Sequence, residues 1–488
     1  MWHAHANPGG SMGTRAYDTV IVGGGSAGAV LAARLTENPD RTVLLLEAGP
    51  AYPPDAYPDS VLSSSVVGSA TGHDWGYFTE PVGAGHRVQA HRGKVLGGSS
   101  AVNGAVIVRA LPVDFQRWAI PGWSWDELRP VFDRTLVPIR ELERDELTPM
   151  ERMFIDSALA VGIPPCDDFN GPKPEGAGSW PLNVLDGQRI NTGVAYLTAE
   201  VRARPNLDIQ GDALVDQVLL DEVRATGVLL SDGSEIAAGE VILSAGAYGS
   251  PAILLRSGIG PAADLTALDI PVITDLPVGC ALQDHPFFLN SYAVSPDRIG
   301  ALEPVLGGLA WLASSEAEPG ELDLQISATH LFDPGWSPSN SGFLLAVGLM
   351  RPHSIGTLTL ASRDPLAAPR IQPNYLATES DRRRLLEGAK LARRIATTDP
   401  LAGLIESELM PGSSVVDDAG LLTAMLSTVD TYHHPTSTAP IGAVVDPLGA
   451  VHGIEGLRVV DASIFPDVPQ VPTNLTTIAA AEHVAARL

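Results

Sequence analysis

The chain has 488 residues, of which 45% are hydrophobic and 18% charged, a composition typical of a globular protein with a substantial core. Its 57 acidic and 31 basic residues give a net charge of -26, so nucleic acid is not expected as a partner. The two cysteines, Cys166 and Cys280, predict neither a disulfide framework nor a cysteine-rich metal site, and we expect no bound metal.

The first residues, 1–16, lack the cationic and apolar segments of an export signal. We interpret them as a disordered leader or a remnant of cloning. The rest of the sequence contains no apolar run long enough for a membrane-spanning helix. The sequence therefore predicts a cytoplasmic protein without a membrane span.

A strand, a glycine turn and a helix are predicted within residues 17–35. The apolar run that ends at Val22 is followed by three glycines in the spacing G-x-G-x-x-G, namely Gly23, Gly25 and Gly28. Such a turn lets the backbone approach a pyrophosphate, and the helix N-terminus supplies free N–H groups. This segment predicts a dinucleotide-binding site.

The second half of the same fingerprint follows in the segment 41–47. Residues 41–46 predict the next strand, and this strand ends at Glu47. A carboxylate at that position is suited to hydrogen bonds with the ribose hydroxyls of a dinucleotide.

A second glycine-rich segment spans residues 91–103. It places two adjacent glycines and two serines between a basic approach and an apolar continuation. Glycines and hydroxyls in this arrangement let the backbone pass close to a flat ligand or a phosphate, although an ordinary loop is the alternative.

This segment, RGKVLGGSSAVNG, and the DFQRWA and PGWSWDEL that follow resemble the first signature of the glucose-methanol-choline (GMC) flavoprotein oxidoreductases. Further similar segments follow in order: VILSAGAYGSP at 241–251, GCALQDH at 279–285, RPHSIGTLTL at 351–360, and the run 432–482. Within the family, the chain is similar to the pyridoxine 4-oxidase branch and to an actinobacterial branch of mycofactocin-associated dehydrogenases.

The resemblance implies an α/β fold, α+β overall, in which a Rossmann-type FAD-binding domain is interleaved with an antiparallel-sheet substrate domain. The expected FAD-binding domain comprises residues 17–155, 192–285 and 438–488. The expected substrate-binding domain comprises residues 156–191 and 286–437.

Two segments between these signatures predict secondary structure. Residues 206–230 have the pattern of three strands in a β-meander inserted into the FAD-binding domain. Residues 380–397 have apolar side chains near helical spacing, which predicts a surface helix.

FAD is the cofactor that the resemblance implies. Covalently flavinylated members carry histidine where this chain has Val102, so noncovalent FAD is expected. The residues that the resemblance places at the cofactor are Gly23, Gly25, Ser26, Ala27, Gly28, Glu47, Ala48, Arg92, Gly97, Gly98, Ser99, Asn103, Gly104, Ala105, Val106, Val215, Ala245, Gly246, Asp461, Ala462, Asn474, Leu475 and Thr476.

The catalytic positions of the family fall on His434, His433 and Pro472. Aligned on the His-Pro dipeptide, His434 is the expected general base, for which a neutral imidazole is suited near physiological pH. It would take the hydroxyl proton of an alcohol while a hydride passes to flavin N5, giving an aldehyde or ketone. His433 stands where relatives carry an aromatic residue. Pro472 stands where they carry asparagine or histidine and offers no polar side-chain atom, so a one-base mechanism is implied, with His433 as a possible helper.

The partners expected from the resemblance are a small-molecule alcohol and an electron acceptor, either dioxygen or another molecule. Two alternatives remain open: a non-redox lyase of the hydroxynitrile-lyase type and a flavoprotein with a degenerate active site. The identity of the alcohol and the oligomeric state do not follow from the sequence.

Overall fold

The computed structural model describes residues 16–488, so residues 1–15 of the expected leader lie outside the described part of the chain. The strands, in chain order, are β1 (Tyr17–Val22), β2 (Val43–Leu46), β3 (Gly176–Ser179), β4 (Val184–Leu185), β5 (Gln188–Arg189), β6 (Leu207–Gln210), β7 (Val215–Asp221), β8 (Arg224–Leu230), β9 (Glu235–Leu243), β10 (Pro286–Ala293), β11 (Leu306–Leu312), β12 (Leu324–Thr329), β13 (Gly342–Leu349), β14 (Thr357–Thr359), β15 (Arg370–Gln372), β16 (Ser407–Met410), β17 (Asp430–Thr431) and β18 (Leu457–Val459).

The α-helices are α1 (Gly28–Leu35), α2 (Asp59–Leu62), α3 (Pro112–Trp118), α4 (Trp125–Phe132), α5 (Pro149–Ala160), α6 (Thr192–Ala195), α7 (Ala199–Arg202), α8 (Gly246–Arg256), α9 (Ala262–Ala267), α10 (Pro296–Ile299), α11 (Glu379–Ala396), α12 (Asp418–Thr428) and α13 (Asn474–Ala485). Short 3₁₀ helices cover Gly68–Thr71, Gly98–Ala101, Pro334–Trp336, Ala402–Leu404 and Ala462–Ile464. None of the described helices is long and apolar enough to cross a membrane.

A parallel sheet in the order β6, β2, β1, β9, β18 holds the predicted nucleotide fingerprint. Strands that are covered on both faces need nearly continuous apolar runs, and the central β1 and β2 satisfy this requirement from Val20 to Val22 and throughout VLLL. The predicted strand before the glycine turn is confirmed as β1. The second predicted strand is confirmed as β2, which begins two residues later than expected.

The chain passes from β1 into α1 through the predicted glycine turn. Gly23 has a φ of 95°, in the region that favours glycine. A Cβ atom added to Gly28 would lie 1.9 Å from the carbonyl oxygen of Gly23, so the helix approaches the strand more closely than a side chain permits. The predicted helix is confirmed as α1.

An antiparallel ribbon of β7, β8 and the first part of β9 extends from this sheet. The expectation that residues 206–230 form three strands of one meander was wrong for the first strand. β6 pairs in parallel with β2, with Leu207 opposite Val43. A parallel pair needs a long crossover connection, and the chain between β2 and β6 supplies it.

A second, antiparallel sheet has the order β16, β10, β13, β12, β11, β3, and β17 also pairs with β10. Because side chains alternate between faces, Leu289 shares a face with its neighbour Ala346 and, across the next strand, with Ser327. The opposite face packs on α11, where Gly388 approaches Val347. The helix predicted for residues 380–397 is confirmed as α11.

Helices α1 and α13 pack against each other beside the glycine turn. Arg34 of α1 donates two hydrogen bonds of 2.8 Å to the carboxylate of Glu482 in α13, which also accepts the hydroxyl of Tyr196. This partly buried pair joins the C-terminal ends of the two helices. At their N-terminal ends, Ser26 donates to Oδ1 of Asn474 at 2.8 Å.

Each sheet draws on separated stretches of chain, and the α/β fold class is confirmed. The domain boundaries remain a prediction. The boundary expected between residues 155 and 156 falls inside α5, a helix that contacts β3, β11 and β12. We therefore propose that all of α5 belongs with the antiparallel sheet.

Candidate active site

A cavity of about 490 Å³ has walls from both sheets. The wall from the parallel sheet comprises the glycine turn, the loop of residues 91–106 and the start of α8. The other wall comes from β10, β12 and β13, and the chain around His434 joins the two.

Two glycine turns meet backbone to backbone in the first wall. A Cβ atom added to Gly98 would lie 2.6 Å from Cα of Gly25, whereas one added to Gly25 would lie 3.6 Å from Cα of Gly98, an ordinary contact distance. Gly25 also lines the cavity, so the space beside it is a cradle that a larger side chain would fill. Backbone without side chains at these positions can approach a pyrophosphate closely.

Glu47 lies beside this cradle at the carboxyl end of β2. Its two carboxylate oxygens accept the backbone N–H groups of Gly24 at 2.8 Å and Gly49 at 3.0 Å. Burial raises the pKa of the Glu47 carboxyl to about 7. The side chain lines the cavity, as the fingerprint predicts for a residue that binds ribose hydroxyls.

Polar atoms from α8 and α13 complete this wall. The carboxylate of Asp461 accepts the backbone N–H of Gly246 at 2.9 Å and the hydroxyl of Ser250 at 2.6 Å. Nδ2 of Asn474 is buried and finds no hydrogen-bond partner among the described residues. The glycine cradle, the carboxylate beside it and this free amide donor together fit an elongated dinucleotide cofactor.

Most of the residues predicted at the cofactor line the cavity. They are Gly23, Gly25, Ser26, Ala27, Glu47, Ala48, Arg92, Gly98, Ser99, Asn103, Gly104, Val106, Val215, Ala245, Gly246, Asp461, Ala462 and Asn474. Five others do not line it, namely Gly28, Gly97, Ala105, Leu475 and Thr476. Gly28 acts through packing, because its backbone touches that of Gly23.

His434 lines the cavity and is held at two points by consecutive residues of the GCALQDH turn. Its backbone N–H donates to Oδ1 of Asp284 at 2.7 Å, and its Nδ1 lies 2.9 Å from Nδ1 of His285 in a hydrogen bond. The other oxygen of Asp284 accepts the hydroxyls of Thr431 at 2.6 Å and Tyr375 at 2.5 Å. Sequence reasoning assigned no role to Asp284 or His285, although both lie in the GCALQDH turn that it matched to the family.

His433 also lines the cavity but faces a different neighbour. Its φ of 64° turns the ring towards His91, with the ring centres 5.1 Å apart. Its carbonyl accepts Nη2 of Arg92 at 2.6 Å. His91 in turn pairs with Asp74 at 2.5 Å. The ring that is hydrogen-bonded to His434 is that of His285. The role of His433 as a helper stays a prediction.

His434 and its neighbours His433 and His285 favour their neutral forms. Burial, together with the nearby imidazoles and the Arg92 guanidinium, holds the pKa of His434 well below 6.5. Burial and the same guanidinium also hold the pKa of His433 well below 6.5, and burial lowers the pKa of His285 to about 3. A neutral imidazole at a cavity wall can accept a proton.

Pro472 lines the cavity directly before α13. Its ring offers neither a donor nor an acceptor, so it adds no second proton-accepting group to the wall.

Models of two parts of the GMC oxidoreductase family match residues 17–287 and 352–481. The chain belongs to the GMC oxidoreductase family. The family resemblance found in the sequence is therefore confirmed, and this GMC oxidoreductase is an FAD-dependent enzyme of a family that acts on alcohol-type substrates.

Relatives of this GMC oxidoreductase span its whole length. It is 36% identical to an oxygen-dependent choline dehydrogenase of Burkholderia lata, over 98% of this chain and 94% of the relative. The structure of pyridoxine 4-oxidase from Mesorbium loti is similar with a TM-score of 0.88 and 32% identity, covering 96% of this chain and 99% of that one. A formate oxidase of Aspergillus oryzae is similar with a TM-score of 0.87 and 26% identity over 98% of both chains.

Proposed function

We propose that this enzyme oxidises an uncharged alcohol with an aromatic or other apolar group to an aldehyde or ketone, with His434 as the general base. The observation that carries the proposal is the neutral imidazole of His434 in the wall of the same cavity that contains the glycine cradle. We also propose that FAD is bound noncovalently, since Val102 lines this cavity where a covalent link would require a reactive side chain.

The reaction transfers a proton and a hydride from the alcohol to two different acceptors. His434 takes the hydroxyl proton, and the carbon that bears the hydroxyl gives up a hydride, so that its C–O single bond becomes a carbonyl. FAD, when bound, supplies the two-electron acceptor by taking the hydride at N5. The second catalytic position of the family is Pro472, which cannot hold a proton. Of these two positions, His434 therefore supplies the base.

The substrate class follows from the wall that the antiparallel sheet contributes. Phe287, Leu289, Leu344 and Ala346 present apolar side chains to the cavity. The hydroxyls in this wall are already engaged, as with Ser327, which accepts the indole N–H of Trp180 at 2.9 Å. Such a surface favours an apolar or aromatic substituent over a strongly hydrated one.

The charges around the cavity argue against a cationic substrate such as choline. Among the described residues that line it, the carboxylates are Glu47 and Asp461, and both bind backbone N–H groups at the glycine-turn wall. Next to His434 stands the guanidinium of Arg92.

The test is anaerobic mixing of the FAD-loaded enzyme with benzyl-type alcohols, pyridoxine, choline and formate while flavin absorbance is recorded. Uncharged aromatic alcohols are expected to bleach the flavin, and choline and formate are not. Preferential bleaching by choline would contradict the assignment of an uncharged substrate. If none of a wide range of alcohols bleaches the flavin, alcohol oxidation is rejected in favour of the lyase or the inactive flavoprotein.

A variant that lacks the proposed base tests the role of His434 in the same assay. His434→Ala should retain FAD and slow flavin reduction by about a hundredfold or more, the usual range for loss of a general base. Flavin reduction at the wild-type rate would remove His434 from the mechanism. Admitting air to the bleached wild-type enzyme then distinguishes the two possible electron acceptors. Rapid return of the flavin colour indicates dioxygen, and slow return indicates another molecule.

A further inference from the structure

We infer that His285 is a positioning residue that fixes the tautomer of His434, so that the lone pair of Nε2 faces the cavity. The inference rests on the proposed role of His434 as base. It is carried by the hydrogen bond between the two Nδ1 atoms, 2.9 Å apart in the interior of the protein.

The bond fixes which nitrogen of His434 is free. Nδ1 is engaged with His285, and the ring lines the cavity, so Nε2 is the nitrogen left to meet a substrate. A neutral imidazole carries one proton, and Nε2 can act as a base only when that proton is on Nδ1. His434 must therefore donate the hydrogen bond, and His285 must accept it.

The surroundings of His285 favour this direction. The carbonyl groups of Pro469 and Met350 face its ring and favour a proton on it, and its Nδ1 side is occupied by His434. The inference places the proton of neutral His285 on Nε2, which is buried and has no hydrogen-bond partner among the described residues. This leaves the Nδ1 lone pair to accept from His434.

The adjacent Asp284 holds the backbone of the same residue. Its Oδ1 accepts the N–H of His434 at 2.7 Å, while its Oδ2 is anchored by the hydroxyls of Tyr375 and Thr431. Two consecutive residues thus fix both the main chain and the ring of His434. Rotation of the ring by 180°, which would put Cδ2 in the place of Nδ1, would break the bond to His285.

Variants of His285 in the FAD-loaded enzyme test the inference. His285→Ala should slow anaerobic flavin reduction by at least about tenfold with little change in substrate KM or FAD content, since loss of the group that sets the tautomer of a catalytic histidine lowers kcat. His285→Asn keeps an acceptor oxygen near the position of Nδ1 and should recover most of the rate. His330→Ala, which removes a partly buried histidine that does not line the cavity, should reduce its flavin at the wild-type rate.

A spectroscopic measurement reads the tautomer directly. In enzyme labelled with ¹⁵N-histidine, long-range proton–nitrogen spectra should show His434, identified by its loss in His434→Ala, protonated at Nδ1 and free at Nε2. His285→Ala should lose this pattern. A wild-type His434 that carries its proton on Nε2 overturns the inference, and this measurement holds even where His285→Ala folds poorly.

The two proposals fail in different ways. Wild-type flavin reduction by His285→Ala together with slow reduction by His434→Ala overturns the tautomer assignment and leaves the proposed function intact. Wild-type flavin reduction by His434→Ala overturns both.

Discussion

The charge state of His434 is set by its immediate surroundings. Burial costs the protonated imidazole its hydration, and the Arg92 guanidinium adds repulsion, so the pKa lies well below 6.5. A base must be unprotonated to act, and the acid limb of kcat/KM reports the pKa of the base in the free enzyme. We therefore predict that kcat/KM for an uncharged alcohol persists as the pH falls through 6.5 and declines only below it.

A variant of Arg92 gives this prediction a matched control. Arg92→Met removes the positive charge that lowers the pKa of His434, so the acid limb of kcat/KM should move to higher pH. The measurement is a pH profile of kcat/KM for both proteins with one uncharged alcohol. A wild-type limb at or above 6.5, or no upward shift in the variant, contradicts the account.

At the scale of elements, the two glycine turns form the wall to which we assign the cofactor. Space beside Gly25 admits a Cβ atom at an ordinary distance from Gly98, so the protein alone tolerates a side chain there. The methyl groups of valine would extend into the cradle that fits a pyrophosphate. We predict that Gly25→Val folds but contains no FAD, measured as the flavin-to-protein absorbance ratio of the purified enzyme.

Gly403→Val is the matched control for this substitution. Gly403 is exposed and does not line the cavity, and its added Cβ atom would lie 3.7 Å from Oδ1 of Asp399, an ordinary contact distance. This variant should carry FAD as the wild type does. A yellow Gly25→Val with full FAD content would show that the cofactor does not use the cradle.

Elements with a strong local signal were predictable, and those set by distant pairing were not. The run from Tyr17 to Leu35 specifies β1, the turn and α1 by apolar periodicity and glycine spacing alone. The pattern around Leu207 specifies a strand but not its partner, since parallel pairing with β2 depends on chain that is remote in sequence. The contact of His285 with His434 joins residues 149 positions apart and has no local signature.

At the scale of the whole molecule, the sequence resemblance identified the family and the cofactor but not the wall that we propose selects the substrate. The apolar wall of the cavity forms only where β10, β12 and β13 pair. The register of these strands places residues such as Phe287 and Leu344 on the same face of the sheet. Their alternation in the sequence is equally consistent with ordinary core packing.

The cavity between the two sheets also makes the stability of the molecule depend on its cofactor. FAD that binds the folded chain and not the unfolded one stabilises it by about 2.7 kcal/mol at a concentration of 100 times Kd. Without FAD, the carboxyl of Glu47 and Nδ2 of Asn474 are buried beside a cavity that both sheets line. We predict that the apoprotein unfolds at a lower temperature than the FAD-loaded enzyme, and that added FAD raises the midpoint in proportion to the logarithm of its concentration once above Kd.

Thermal unfolding followed by circular dichroism, with FAD titrated into apoprotein, measures this dependence. Gly25→Val should unfold near the temperature of the wild-type apoprotein and show no response to FAD, because it keeps the fold and loses the cradle. A wild-type midpoint that is independent of FAD would mean that the cofactor contributes nothing to holding the two sheets together. An equal rise in Gly25→Val would place FAD elsewhere on the protein.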